Sequence, residues 1–191
     1  MPIFVEIIPF LWVIFILYWF ISSFHVKKSI KGGNWLAERF VRIVIILLVI
    51  LEIRTPLFSQ FMWHKQTSNL FFNPFISFLG VLLCAAGIGI AIWARYYLGS
   101  NWGMPMSQRE KPELIQSGPY AYIRHPIYSG LLLAMLGSTV TIGLFWLIPL
   151  AIMLFYFIYS VKIEEKHMRQ KFPKEYVDYM NKTKALIPYI W

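Results

Sequence analysis

The sequence predicts an all-α integral membrane protein with about five transmembrane helices, and three observations predict it. Hydrophobic residues fill 58% of the 191 positions and charged residues only 14%, against about 45–50% and about 25% in soluble domains. Apolar runs recur at lengths that cover a hydrocarbon core of ~30 Å. Basic residues are abundant in every second connection and scarce in the others, as the positive-inside rule requires.

Each span follows from its own run. The first, residues 2–24, is interrupted only by Glu6. It is too long and bulky for a signal-peptide core and lacks a basic start. The second covers about 40–58, with Glu52 and Arg54 at its far end. The third covers about 74–98, with Gly80, Gly87 and Gly89 as close-packing positions. The fourth stretch, 127–161, has 35 residues and no charge, far more than one span needs. The Gly-, Ser- and Thr-rich segment 137–143 is expected to turn it back, giving a helical hairpin of a short span four near 127–136 and a span five at 144–161. The whole chain, 1–191, then forms a single polytopic membrane domain.

Net charge is +9, from 18 Lys and Arg against 9 Asp and Glu. Sixteen of the 18 basic residues fall in the first connection, the third connection and the C-terminal tail. That distribution places the N-terminus outside and the C-terminus in the cytoplasm, and it accounts for the charge without nucleic acid. Cys84 is the single cysteine, so an intramolecular disulfide is excluded, and no metal site is expected. G-x-G-x-x-G, P-loop and H-E-x-x-H patterns are absent.

Chemistry concentrates in two segments on the basic side. The first, 101–128, contains Ser117-Gly118-Pro119-Tyr120 and then Arg124-His125-Pro126-Ile127-Tyr128. Gly118-Pro119 is a turn signal, and Pro126 suits the first position of a helix. His125 and Tyr128 then share one face at that helix mouth, where free N–H groups and the positive dipole end suit a carboxylate. The simpler reading makes Arg124 and His125 interfacial anchors and Tyr120, Tyr122 and Tyr128 part of an aromatic belt. The second segment, 164–191, opens on Glu164-Glu165. Functionally, a carboxylate there suits a ribose hydroxyl, an ammonium or a sulfonium; structurally, it pairs with Lys162 or Lys166. Glu175, Tyr176, Asp178 and Tyr179 follow on an amphipathic tail helix that is expected to pack over the loop. Glu6, Glu52 and Arg54 lie near span ends, where snorkelling accounts for them.

These segments resemble the isoprenylcysteine carboxyl methyltransferase family and, more distantly, the phospholipid N-methyltransferases. The matching residues are Asn101-Trp102, Leu114-Ile115, Gly118-Pro119-Tyr120 and Arg124-His125-Pro126-Ile127-Tyr128, followed by Glu164-Glu165, Phe172, Glu175-Tyr176, Tyr179 and Pro188. The likeness covers about 98–188, so 1–98 reads as three spans with loops and 99–191 as a cofactor-binding half.

The resemblance implies S-adenosyl-L-methionine as cofactor, held in a cytoplasmic pocket closed by the tail. Leu114, Ile115, Tyr120, His125, Pro126, Tyr128 and Glu164 would line it. Arg124 and Glu164 are the expected catalytic residues, Arg124 to orient the acceptor or the cofactor carboxylate. The implied acceptor is a lipidic or prenylated molecule in the bilayer. The family often has a His where this chain has Pro112, and its protein-substrate members have an Arg where this chain has Ser160. Competing readings are an amine N-methyltransferase, an NADPH-dependent membrane reductase and a non-catalytic membrane scaffold.

Overall fold

The computed structural model describes residues 3–27, 29–31, 73–103, 108–109 and 113–187. The expected second span, with Glu52 and Arg54, lies outside these residues, as do Pro112 and Pro188. The described chain is helical: α1 Ile3–Ser22, α2 Pro74–Leu98, α3 Pro126–Ile142, α4 Leu147–Lys171 and α5 Glu175–Lys182. One short antiparallel pairing joins β1, Ser29–Lys31, to β2, Gln108–Arg109. Helices α1, α2 and α4 are each long and apolar enough to cross a membrane, and the protein is an integral membrane protein.

Helix α2 starts where Asn73 accepts a hydrogen bond from the Phe75 N–H and Pro74 occupies the first turn, a pairing that satisfies an orphan donor at no conformational cost. It ends at Gly99, whose φ of +52° a side chain would resist. Arg95, in its last turn, is buried. It donates to Gly99 O at 2.7 Å and to Ser22 O at 2.6 Å, and it lies over the Trp102 ring at 4.9 Å. One guanidinium thus satisfies carbonyls at the C-terminal ends of both α1 and α2, where a cation also meets the negative dipole ends. The two helices therefore run in the same direction.

Helices α2 and α3 touch backbone to backbone. A Cβ on Gly80 would fall 2.8 Å from Gly137 O, and one on Gly87 would fall 2.4 Å from Gly130 O. Cys84, Ala91 and Ala134, all 0% exposed, fill the positions between. Small residues are what permit such approach where lipid offers no hydrophobic drive. Gly89 departs from this expectation, because nothing lies within 4 Å of its Cβ position. It faces away from α3.

The expected turn at 137–143 is also corrected. Helix α3 continues through Ile142, and the chain reverses at Gly143 (φ +138°) and a 3-10 turn over Leu144–Trp146. The small polar residues serve packing instead. Ser138 and Thr139 return their hydroxyls to Ala134 O and Met135 O, Thr141 donates to Ser77 O on α2, and Trp12 of α1 donates to Ser138 Oγ at 3.0 Å. Helix α4 in turn runs ten residues past Val161, to Lys171.

Candidate functional site

The C-terminal ends of α1 and α2, the start of α3 and the end of α4 lie at one end of the molecule, and the site is built there. Gly118, with φ +61°, opens the 3-10 turn Gly118–Ala121 directly against the Tyr97 ring; a Cβ would sit 2.6 Å from it. This turn buries Tyr120 beside Trp102, Ile127 and Tyr128. Ile115 packs against the same cluster. Leu114 is half-buried next to it in the chain, and no hydrogen bond ties it to the group among the described residues. Lys27, at the end of the α1 segment, donates to Asn101 Oδ1 at 2.8 Å and to Glu113 Oε1 at 2.9 Å, which anchors the start of this strip. The Lys27 ammonium holds the Glu113 carboxyl below its ordinary range.

His125 is the N-cap of α3, and Pro126 opens the helix. His125 stacks on Tyr128 with a centroid separation of 5.5 Å and an interplanar angle of 4°. Tyr128 stacks in turn on Phe157 of α4 at 4.3 Å and 9°. Tyr128 Oη donates to Glu164 Oε1 at 2.5 Å. His125 faces both carboxylates, Nδ1 at 3.5 Å from Glu164 Oε2 and Nε2 at 3.6 Å from Glu165 Oε1. Arg124 Nε donates to Glu165 Oε1 at 2.7 Å.

The electrostatics follow from burial and pairing. Burial is the largest influence on His125 and opposes its charged form, but the two carboxylates outweigh it, so the imidazole titrates above its ordinary value. Burial also raises the phenols of Tyr120, Tyr176 and Tyr179 above their usual range, keeping them protonated.

The tail closes over this cluster. The N–H groups of Arg124 and His125 donate to Lys184 O at 2.8 Å and Ala185 O at 3.0 Å. Ser129 Oγ donates to Leu186 O, and the Arg124 guanidinium donates to Met180 O and Thr183 O. Tyr179 Oη, from α5, donates to Tyr120 O at 2.6 Å. Ala185 and Leu186 enter the same apolar core as Tyr120 and Tyr128. The two N–H groups that immediately precede α3 are thus taken by carbonyls of the tail.

Tyr120, His125, Pro126, Tyr128, Glu164 and Arg124 are therefore brought together. Sequence reasoning passed over Glu165, which faces both Arg124 and His125, and Phe157, which completes the aromatic stack. Glu165 was visible only as the twin of Glu164. Phe157 had no signal, being one of many aromatics in an apolar span. Ser160, at the position where the family's protein-substrate members carry Arg, is fully buried and returns its hydroxyl to Tyr156 O.

Fold and cluster define a helical membrane protein with an acid–imidazole–phenol site enclosed at one end of its bundle. The chain belongs to the phospholipid methyltransferase family, whose family model matches residues 75–175. It is 28% identical over 120 residues to the protein-S-isoprenylcysteine O-methyltransferase of Saccharomyces cerevisiae, covering 59% of this chain and 48% of that protein. It is 27% identical over 128 residues to the cobalt-zinc-cadmium resistance protein CzcN of Cupriavidus metallidurans, covering 65% and 55%. A probable protein-S-isoprenylcysteine O-methyltransferase of Oryza sativa subsp. indica is 28% identical over 124 residues, covering 61% and 63%. The chain spans about half the length of the first two of these relatives.

Proposed function

We propose that this protein is an S-adenosylmethionine-dependent integral membrane methyltransferase that modifies a lipidic acceptor. The observation that carries the reading is the joining of Tyr128 and His125 to Glu164 beneath a closed tail. The proposed topology has five spans, α3 and α4 forming a helical hairpin, with the N-terminus outside and the site facing the cytoplasm. Similarity to protein-S-isoprenylcysteine O-methyltransferases supports the donor and the lipidic acceptor alike.

The residues present suit this donor. Bound there, S-adenosylmethionine supplies an electrophilic methyl group on a sulfonium cation. Glu164 supplies a carboxylate for that cation, and the aromatic stack of His125, Tyr128 and Phe157 walls it. Tyr128 and His125 hold the Glu164 carboxylate in one orientation. Leu114, Ile115 and Tyr120 supply an apolar wall, and Pro126 sets the angle at which α3 enters. Arg124 is braced by Glu165 and the tail carbonyls, from which position it orients an anionic group. A carboxylate acceptor is already ionised near pH 7, so alignment and exclusion of water carry the rate.

The family match favours a second acceptor, the amine of a phospholipid. An amine must lose a proton. Glu164 and His125, which face each other at 3.5 Å, are the groups proposed to accept it.

Calorimetric titration of the purified protein with S-adenosylmethionine and with NADPH tests the donor. Tritiated methyl transfer into membrane extracts then identifies the acceptor by its labelled product. Binding of the first cofactor alone is expected, with loss in Glu164→Gln and His125→Ala. NADPH binding, or unaltered transfer by both variants, overturns the reading.

A further inference from the structure

A cleft opens beside the Arg124–Glu165 pair. It encloses about 340 Å³ between the end of α4 and the tail, lined by Arg124, Val161, Lys162, Glu165, Met180 and Lys184, among others. None of Leu114, Ile115, Tyr120, His125, Tyr128 or Glu164 lines it. It shares only Arg124 and Glu165 with the residues proposed to act on the methyl donor and acceptor.

Its charge is uneven. Glu165 is matched by Arg124 at 2.7 Å. Lys162 and Lys184 are exposed, and no carboxylate lies within ion-pair reach of either among the described residues. The Arg124 Nε and Nη1 atoms are engaged, while Nη2 donates no hydrogen bond among the described residues. With Arg124 and Glu165 paired, Lys162 and Lys184 leave a surplus of two positive charges, which suits an anion.

Its position selects the kind of anion. Lys162 directly follows the uncharged run 127–161, and Val161, the last residue of that run, is part of the lining. The cleft thus spans the boundary between apolar and charged chain, with Val161 and Met180 on its apolar side. That is the level of a lipid head group, where basic residues attract anionic lipid.

We propose that this cleft binds the phosphate head group of an anionic membrane lipid, with Lys162 and Lys184 as its principal contacts. Because Lys162 belongs to α4 and Lys184 to the tail, the bound phosphate bridges them and holds the tail shut. The proposal requires no methyl transfer, and lipid retention reads it independently of any methyl donor.

The test uses the full chain in detergent, titrated with phosphatidylglycerol or phosphatidylcholine and followed by native mass spectrometry. One phosphatidylglycerol is expected to be retained in preference to phosphatidylcholine. The double variant Lys162→Gln/Lys184→Gln should weaken that retention by about tenfold or more. Both side chains are exposed, so the variant should unfold at the parent temperature without lipid. Phosphatidylglycerol should also slow hydrogen exchange across 180–186 in the parent and not in the variant. Displacement by millimolar inorganic phosphate would support the anion site and assign it to free phosphate; no displacement assigns it to lipid. Equal retention of the two lipids, or equal retention by variant and parent, overturns the proposal.

Discussion

Tyr128 Oη donates to Glu164 Oε1 across 2.5 Å, joining the first turn of α3 to α4. The bond ties the two helices together and fixes which way that carboxylate points. Tyr128→Phe removes it and leaves the ring stacked between His125 and Phe157. Hydrogen bonds to charged groups contribute about 1.5–3 kcal/mol. S-adenosylmethionine should accordingly bind about tenfold or more weakly, measured by calorimetry, at a melting temperature near the parent's. Unchanged affinity would remove Glu164 from the donor pocket.

Glu165 does different work from its neighbour. It is the carboxylate partner of Arg124, with both side chains about one-tenth exposed, and Arg124 in turn holds Met180 O and Thr183 O. Removing one partner of such a pair leaves an uncompensated charge, at a cost of about 3 kcal/mol or more. Glu165→Gln should lower thermal stability in detergent and speed proteolysis within the tail. Glu164→Gln should affect ligand binding more than tail protection.

The pH dependence follows from His125. Its native titration lies above that of an unfolded imidazole, about 6.5, because Glu164 and Glu165 outweigh the opposing burial. A group raised in the native state binds more protons folded than unfolded near that pH. Its stabilisation is therefore complete below about pH 6.5 and is lost as pH rises through the higher native value. The melting temperature of the parent minus that of His125→Gln should fall over that range. A flat difference would show that the imidazole titrates alike in the folded and unfolded chain.

The glycines separate two environments on one helix. A methyl on Gly87 would meet the Gly130 and Ala134 backbone at 2.4 Å, and neither can move without shifting α3. Gly87→Ala should therefore destabilise by about 1–3 kcal/mol or more. Gly89→Ala meets nothing within 4 Å and should stabilise by about 0.5–1 kcal/mol through the helix preference for alanine. Thermal unfolding of the two variants in detergent gives the comparison directly.

Turn placement was where local reading failed. Residues 137–143 have a turn's composition, yet all but Gly143 are helical. Within a membrane, Gly137 is worth more against Cys84 and Gly80 of α2 than in a turn, and the hydroxyls of Ser138, Thr139 and Thr141 find carbonyls on the helices themselves. The same ambiguity misassigned Gly89, since heptad-like spacing cannot tell which face a glycine presents. Arg95 counted in the sequence as one more basic residue of the third connection. Its burial across two helix ends depends on where α1 lands, which local pattern does not encode.

The sequence by itself determined that the chain lives in a membrane, where its apolar runs lie, and that Arg124-His125-Pro126 and Glu164-Glu165 stand out as polar segments beside those runs. Those properties depend on composition and short-range order. Only the tertiary structure decided that Glu165 pairs with Arg124, that Phe157 completes the stack under Tyr128, and that tail carbonyls pair with the N–H groups of Arg124 and His125. Each of these joins residues far apart in the chain. The backbone contact of Gly80 and Gly87 with α3 sets the position of that helix, and with it the meeting of its first turn with α4 and the tail.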